Sequence, residues 1–228
     1  MQVFDSKNKT QRTLGLCEAM DFLNIKGLPC APWVELPTHQ PVTIEKITNL
    51  LFPVAVKFDS PTISHKSDAG IIVLGCTTVN DVEQARKIVI DRALAYQPGV
   101  KGKLCVQQMA NGVAEFLIGF HRDPVVGPVV VVGTGGVMVE LFNDISIRVL
   151  PINTDDISEM LSELKCIKLI EGFRGRPLGD RQSLENLIKA MSIIFIHNPD
   201  IISIDLNPVI IDKDSIWIVD AMIEKITV

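Results

Sequence analysis

The chain has five cysteines, an odd number, and no Cys-x-x-Cys pair. That pattern signals neither a zinc site nor a disulfide framework. Cys76 and Cys105 lie in apolar, strand-like stretches, where a thiol packs as a small hydrophobe. Basic stripes and arginine-rich runs are also missing. The 22 Lys and Arg are scattered among 27 Asp and Glu, giving a net charge of −5, which argues against nucleic acid as a partner. Long apolar runs are scarce too. The longest, Val125 to Val132, is interrupted by Gly127 and Pro128 and is too short to span a bilayer. Met1 to Arg12 is polar and charged, unlike a signal peptide, so a cytoplasmic location with no membrane contact is expected. No internal repeat or low-complexity segment appears.

What is present is a full core. Hydrophobic residues make up 47% of the 228 and charged residues 21%, the balance of a globular protein with one large domain or two lobes. Helical spacing of Leu14, Leu16, Ala19, Met20 and Leu23 predicts a helix capped by Thr13 and ended by Gly27. Helices are also predicted over Thr43–Leu51, Asn80–Tyr96 (opened by Asn80-Asp81), Thr154–Leu164 and Gln182–His197. Apolar or alternating runs predict strands at Leu28–Leu36, Val54–Phe58, Ile71–Gly75, Lys103–Met109, Glu115–Phe120, Val125–Gly133, Val137–Leu141, Ile145–Leu150, Ile201–Leu206 and Ser215–Val219. The character changes near residue 110. The reading is α+β: a helical segment over 1–27, one lobe over 28–109, and a second over 110–228.

Several residue types point to phosphoryl transfer. Lys57, inside an apolar strand, must snorkel, pair or bind an anion such as the phosphates of ATP. The segment Ser60-Pro61-Thr62-Ile63-Ser64-His65-Lys66-Ser67-Asp68-Ala69-Gly70 offers an imidazole in a polar loop just after that strand. No Ser-His-Asp or Cys-His order is suggested elsewhere, which leaves His65 as a nucleophile toward phosphorus. Asp205-Leu206-Asn207 places two side chains on one strand face, and Asp220 ends the next strand. If the two strands pair, Asn207 and Asp220 converge as hard oxygen ligands for Mg²⁺; the alternative for Asn207 is an Asx turn before Pro208. Gln107 and Met109 end a strand at the lobe boundary, where backbone groups can meet an adenine edge and Met109 can pack on the ring. Glu115 is placed for ribose hydroxyls, or is a plain surface carboxylate. Gly133-Thr134-Gly135-Gly136 is a candidate phosphate loop, though it is neither a Walker A motif nor a dinucleotide fingerprint, and a tight turn fits it as well.

These segments, together with Arg122-Asp123-Pro124-x-x-Gly127-Pro128 and Gly172-Phe173-Arg174-Gly175-Arg176-Pro177, occur in the order found in a known family. From about residue 13 to 225 the chain resembles the ATP-grasp β subunit of ADP-forming acyl-CoA synthetases of the acetyl-CoA type. The resemblance implies an ATP-grasp fold with nucleotide between two lobes. It implies an acyl phosphate made in an α subunit, whose phosphoryl group passes to an α-subunit histidine, then to the loop His65, and then to ADP. It further implies that Asp205 orients His65, that Asn207 and Asp220 hold Mg²⁺, that Lys57, Gly135 and Gly136 contact phosphate, and that Glu115 contacts ribose. A CoA-binding α subunit and an α2β2 heterotetramer follow from the same resemblance. One departure is that Ile71 follows Gly70 where the family usually has a second glycine.

Two rival functions use the same residues. A regulatory module could bind ATP or ADP without turnover while attached to an acyltransferase; labelling of the isolated chain by ATP separates it from the enzyme. A carboxylate–amine ligase of the same fold would pass through an acyl phosphate and need no loop histidine.

Overall fold

Two separate apolar clusters organise the chain in the computed structural model, which describes residues 10–63, 69–136, 144–175 and 177–227. The smaller cluster lies in a four-stranded antiparallel sheet built from β2 (Trp33–Pro37), β3 (Val54–Asp59), β4 (Ile72–Cys76) and β5 (Lys103–Gln108), in the order β2-β5-β3-β4. Helix α2 (Val79–Tyr96) covers one face through Val82, Ala85, Val89 and Ala93. Every residue of β3 is buried, so its apolar run is continuous rather than alternating.

The larger cluster lies in a seven-stranded sheet. Its strands are β1 (Thr10–Thr13), β6 (Ala114–Asp123), β7 (Gly127–Thr134), β8 (Ile145–Val149), β9 (Ile201–Ile211), β10 (Ile216–Ile218) and β11 (Ala221–Thr227). The order is β1-β11-β9-β6-β7-β8, with β10 also pairing with β9. Helices α1 (Leu16–Ile25), α3 (Thr154–Ser162) and α4 (Arg181–His197) pack into the same cluster. Residues 10–27 therefore join the larger sheet: β1 pairs with β11, and Leu16, Met20 and Leu23 enter its core.

Helix ends show where local signals held. Gly27 ends α1 at φ +77, with Gly27 N–H donating to Asn24 O and Leu28 N–H to Leu23 O, the paired bonds of a Schellman stop. Thr13 does not cap this helix. The Asp59 carboxylate does, accepting from Leu16 N (2.6 Å) and Cys17 N (2.9 Å). Likewise α2 is opened by Thr78 in a capping box with Asp81, not by Asn80. The helix expected over Thr43–Leu51 is only a 3-10 turn at Ile44–Lys46, where Thr43 makes no side-chain cap. A single turn flanked by Pro41 and Pro53 has too few bonds to offset nucleation. Strand β9 runs on to Ile211 rather than stopping at Leu206, and β1 and β11 were not foreseen. The strand expected over Val137–Leu141 lies outside the described residues.

Two residues of the Arg122–Pro128 segment prove architectural. The Arg122 guanidinium donates to Ile201 O, Phe195 O and Asn198 O, closing the end of α4. Asp123 accepts from Val125 N and Val126 N, shaping the β6–β7 turn that ends at Gly127, φ +89.

Candidate active site

The site begins with a defect in the large sheet. Between the pairs Ile118–Leu206 and Phe116–Val209, β9 holds one residue more than β6, so Asn207 and Pro208 form a bulge opposite Leu117. Pro208 has no N–H to give, and a bulge tolerates that. On its other side β9 keeps register: Ala221 pairs with Leu206 and Ile218 with Val209. Asn207 N–H donates to Asp220 O at 3.2 Å, and Val219 N–H to Pro208 O at 3.1 Å. The expected hairpin therefore exists, and it brings Asn207 and Asp220 together.

Lys57 reaches this hairpin from the other sheet. Its ammonium donates to Val219 O at 2.9 Å and lies 3.9 Å from Asp220 Oδ2. With Lys57 only 3% exposed, a buried ammonium needs such partners. One residue further along, Phe58 N–H bonds Ile71 O at 3.0 Å and closes the base of the β3–β4 loop. Ser60 Oγ donates to Lys101 O and anchors the other foot. Ile71, at 0% exposure, is a core side chain of the small sheet, which is why an aliphatic residue suits a place beside Gly70. His65 itself lies outside the described residues.

The glycine pair closes the site from a third side. Gly136 N–H donates to Asn207 Oδ1 at 2.9 Å, and Gly135 N–H to Glu115 O at 2.8 Å. A Cβ on Gly135 would stand 2.6 Å from the Phe116 backbone, and one on Gly136 would collide with the Glu115 carboxylate. Gly136 also adopts φ +65. Close backbone approach thus explains Gly135, and the left-handed backbone explains Gly136. Asp205 lies on the same stretch of β9, paired with Gly119 and Met222. Burial, and next the negative charge of Asp220, hold its carboxyl above the usual carboxylate range.

Lys57, Glu115, Gly135, Gly136, Asn207 and Asp220 are therefore linked in one place, with Asp205 beside them. A cavity of about 490 Å³ adjoins it, lined by Ala110, Val113, Glu115, Gly135, Leu169 and Ile210 among others, large enough for a nucleoside. Gln107 and Met109 are placed differently from expectation. Gln107 is buried, its Oε1 has no partner among the described residues, and it lines neither described cavity. The Gln108 and Met109 N–H groups are taken by Pro32 O and Pro53 O, so neither is offered to a base. Met109 borders a second cavity of about 210 Å³ with Gln108, Ala110 and Trp217. Sequence reasoning missed Asp59 and the Val219 carbonyl; the first carried no local signal, and a backbone acceptor carries none at all.

The donor set suits a hard divalent cation. Asp220 offers a carboxylate, Asn207 an amide oxygen with a second lone pair, and Asp205 a second carboxyl nearby. Among the described residues, another grouping of possible ligand atoms is Cys17, Glu35 and Asp59, but Asp59 there is the α1 cap.

A family model described as an ATP-grasp domain matches residues 5–224. The β subunit of acetate–CoA ligase [ADP-forming] I from Pyrococcus furiosus is 30% identical over 96% of this chain and 95% of its own length. A single-chain acetate–CoA ligase [ADP-forming] from Methanocaldococcus jannaschii is 35% identical over 91% of this chain, which spans only 30% of that relative. Among solved structures, the dinucleotide-forming acetyl-coenzyme A synthetase 1 of Ca. Korarchaeum cryptofilum, bound to coenzyme A and Ca-AMPCP, aligns with a TM-score of 0.85. It is 33% identical and covers 94% of this chain and 93% of its own. A complex of the same enzyme with coenzyme A and Mg-AMPPCP, its phosphohistidine segment pointing towards the nucleotide site, aligns at 0.78, with 32% identity over 94% of this chain and 93% of that one.

Proposed function

Because the chain belongs to the ATP-grasp domain family, matched from residue 5 to 224, we propose that it is the nucleotide-binding β subunit of an ADP-forming acyl-CoA synthetase of the acetyl-CoA type. In that role it is an acid–thiol ligase subunit, coupling acyl-CoA, ADP and phosphate to free acid, ATP and CoA. One observation carries this reading: Lys57, Asn207, Asp220 and the Gly135–Gly136 backbone, from two different sheets, converge on one spot beside a cavity. The segments are taken as 1–27, 28–109 and 110–228, supported by the two separate apolar clusters, with the described residues 10–27 packed onto the second.

Each side chain then has a part. Lys57 and the Gly135–Gly136 turn contact the phosphates, and Glu115 contacts the ribose at the cavity rim. Asn207 and Asp220 hold Mg²⁺, which when bound offsets charge on the phosphates. His65, neutral, gives an imidazole lone pair to phosphorus: the N–P bond forms as the phosphate's bond to its leaving oxygen breaks. For ATP formation the reverse occurs, with an ADP oxygen attacking and the imidazole leaving. Asp205 fixes the imidazole tautomer and offsets its charge while phosphorylated. Positioning and charge stabilisation account for most of what such a site must supply. The adenine roles of Gln107 and Met109 would fall to groups not engaged in the contacts described above.

The relative named as a β subunit implies an α subunit partner. The finer reading is an α2β2 heterotetramer in the cytoplasm, the α subunit carrying the CoA-binding domain. No helix among the described residues is long and apolar enough to cross a membrane. The test is reconstitution. This chain with its co-expressed α subunit should form ATP from acetyl-CoA, ADP and phosphate, and neither alone should do so. ATP formation by the α subunit alone would end the reading.

A further inference from the structure

Among the described residues, helices cover the large sheet on one face only. Ser146 and Arg148 of β8 point to the helix side, where Arg148 pairs with Glu163 and Glu159 of the α3 region. Val130 and Val132 are buried on that same side. The other residues of β8 point away. Ile145, Ile147 and Val149 are 43%, 50% and 50% exposed, on a strand that among the described residues pairs with β7 alone. An edge strand with bare aliphatic side chains is an association hazard that proteins ordinarily blunt with Lys or Pro; β8 has neither on this face.

The register shows where this face leads. Ile147 pairs with Val131, Val131 with Gly119, and Gly119 with Asp205. Directly opposed residues share a face. One cross-strand row therefore runs from the exposed edge to the candidate catalytic carboxylate, three strand spacings or roughly 14 Å. Flanking rows add Val149 and Val129 on one side, and Ile145, Gly133 and Leu117 on the other. The result is an apolar apron on the open face, continuous with the phosphoryl site.

Resting on the function proposed above, we propose that this apron of Ile145, Ile147, Val149, Val129 and Val131 is the docking surface for the acyl-phosphate-forming α subunit. The phosphoryl group is made on another chain and must reach His65 and Asp205. A partner seated here would cover the bare edge and bring its phosphoryl carrier along the row that ends at Asp205. The fit is to an apolar partner surface, because the apron carries no charged side chain among the described residues. The single-chain relatives, of which this chain spans less than a third, contain the additional polypeptide such docking requires. A second copy of this chain placed on the same face would instead obstruct the approach to Asp205.

The test uses the chain and its co-expressed α subunit. The pair Ile147→Asp with Val149→Asp should weaken their association at least about tenfold, on the scale of a disrupted interface centre. The milder pair Ile145→Thr with Ile147→Thr keeps β-branched side chains in the strand and should weaken it several-fold. Ile193→Asp, at an exposed position on α4, should leave it unchanged. In the wild-type complex, backbone hydrogen exchange over 145–149 should slow relative to the free chain. Wild-type affinity in both apron pairs, or unchanged exchange, would overturn the proposal. So would loss of a homodimer of this chain with α-subunit binding intact. Labelling of the free chain by radioactive ATP is read separately: apron variants should label like wild type, whereas a wild-type chain that takes no label contradicts the enzymatic reading and leaves the association measurement interpretable.

Discussion

The Gly136 N–H and Asn207 Oδ1 are joined by a 2.9 Å hydrogen bond across 71 residues of sequence. It ties the glycine turn after β7 to the bulge in β9, so the proposed phosphate contact and the proposed metal ligand are set by one another. The bond uses one lone pair of the amide oxygen and leaves the second for a cation.

Breaking that tie from either end should therefore weaken binding of Mg-ADP. Gly136→Ala forces a side chain into a left-handed backbone and against Glu115. Asn207→Ala removes the oxygen. Both should raise the Mg-ADP dissociation constant roughly tenfold or more by calorimetric titration. Wild-type affinity in Asn207→Ala would remove that residue from the metal role.

Lys57 is a buried cation between Val219 O and the Asp220 carboxylate. Lys57→Met keeps the stem and deletes the charge. Nucleotide affinity should fall roughly ten- to a hundredfold, the range of a charge-assisted hydrogen bond, with secondary structure by circular dichroism unchanged. Equal affinity with folding intact would make Lys57 a purely structural strut.

Asp205 yields a pH prediction. Its carboxyl is raised by burial and by Asp220, so the folded protein keeps this proton to higher pH than the unfolded chain. The stability it contributes is complete below the unfolded value, near about 4, and is lost as pH rises through the folded value. Asp205→Asn has no such loss. In thermal melts of ligand-free protein, the variant should gain on wild type at neutral pH relative to its difference at about pH 4. A pH-independent difference would contradict the shift.

Asp59 joins the small sheet to α1 by accepting two helix N–H groups. Asp59→Ala should cost about 1–2 kcal/mol, as lost caps do, and lower the melting temperature by about 2–4 °C per kcal/mol. Asp59→Asn, which keeps an acceptor, should recover part of it.

Much of this was legible from residue patterns, and the failures share a cause. Val54–Asp59, Val79–Tyr96 and the β6–β7 hairpin follow from apolar periodicity and turn residues. The Asp-x-Asn segment and Asp220 could be paired in advance because a short turn forces neighbouring strands together. The Asp59 cap was illegible: it acts across more than forty residues on N–H groups that Thr13 was local to. The β9 bulge was illegible for a similar reason, since Pro208 looked like a strand end until β6 supplied a register that could absorb an extra residue. Spare backbone groups are expected at the strand end that holds Gln107 and Met109, but the N–H groups of Gln108 and Met109 are taken up by Pro32 and Pro53, which have carbonyls and no N–H.

The central claim, a phosphohistidine at His65, is most directly tested by incubating the chain with Mg-ATP radiolabelled in the γ-phosphate and mapping the label. The account predicts a label that survives alkali, is lost in acid and maps to His65. It should vanish in His65→Asn while Mg-ATP binding stays near wild type, and it should persist when His39, His121 or His197 is replaced. Labelling retained in His65→Asn, or mapped to another histidine, would contradict it.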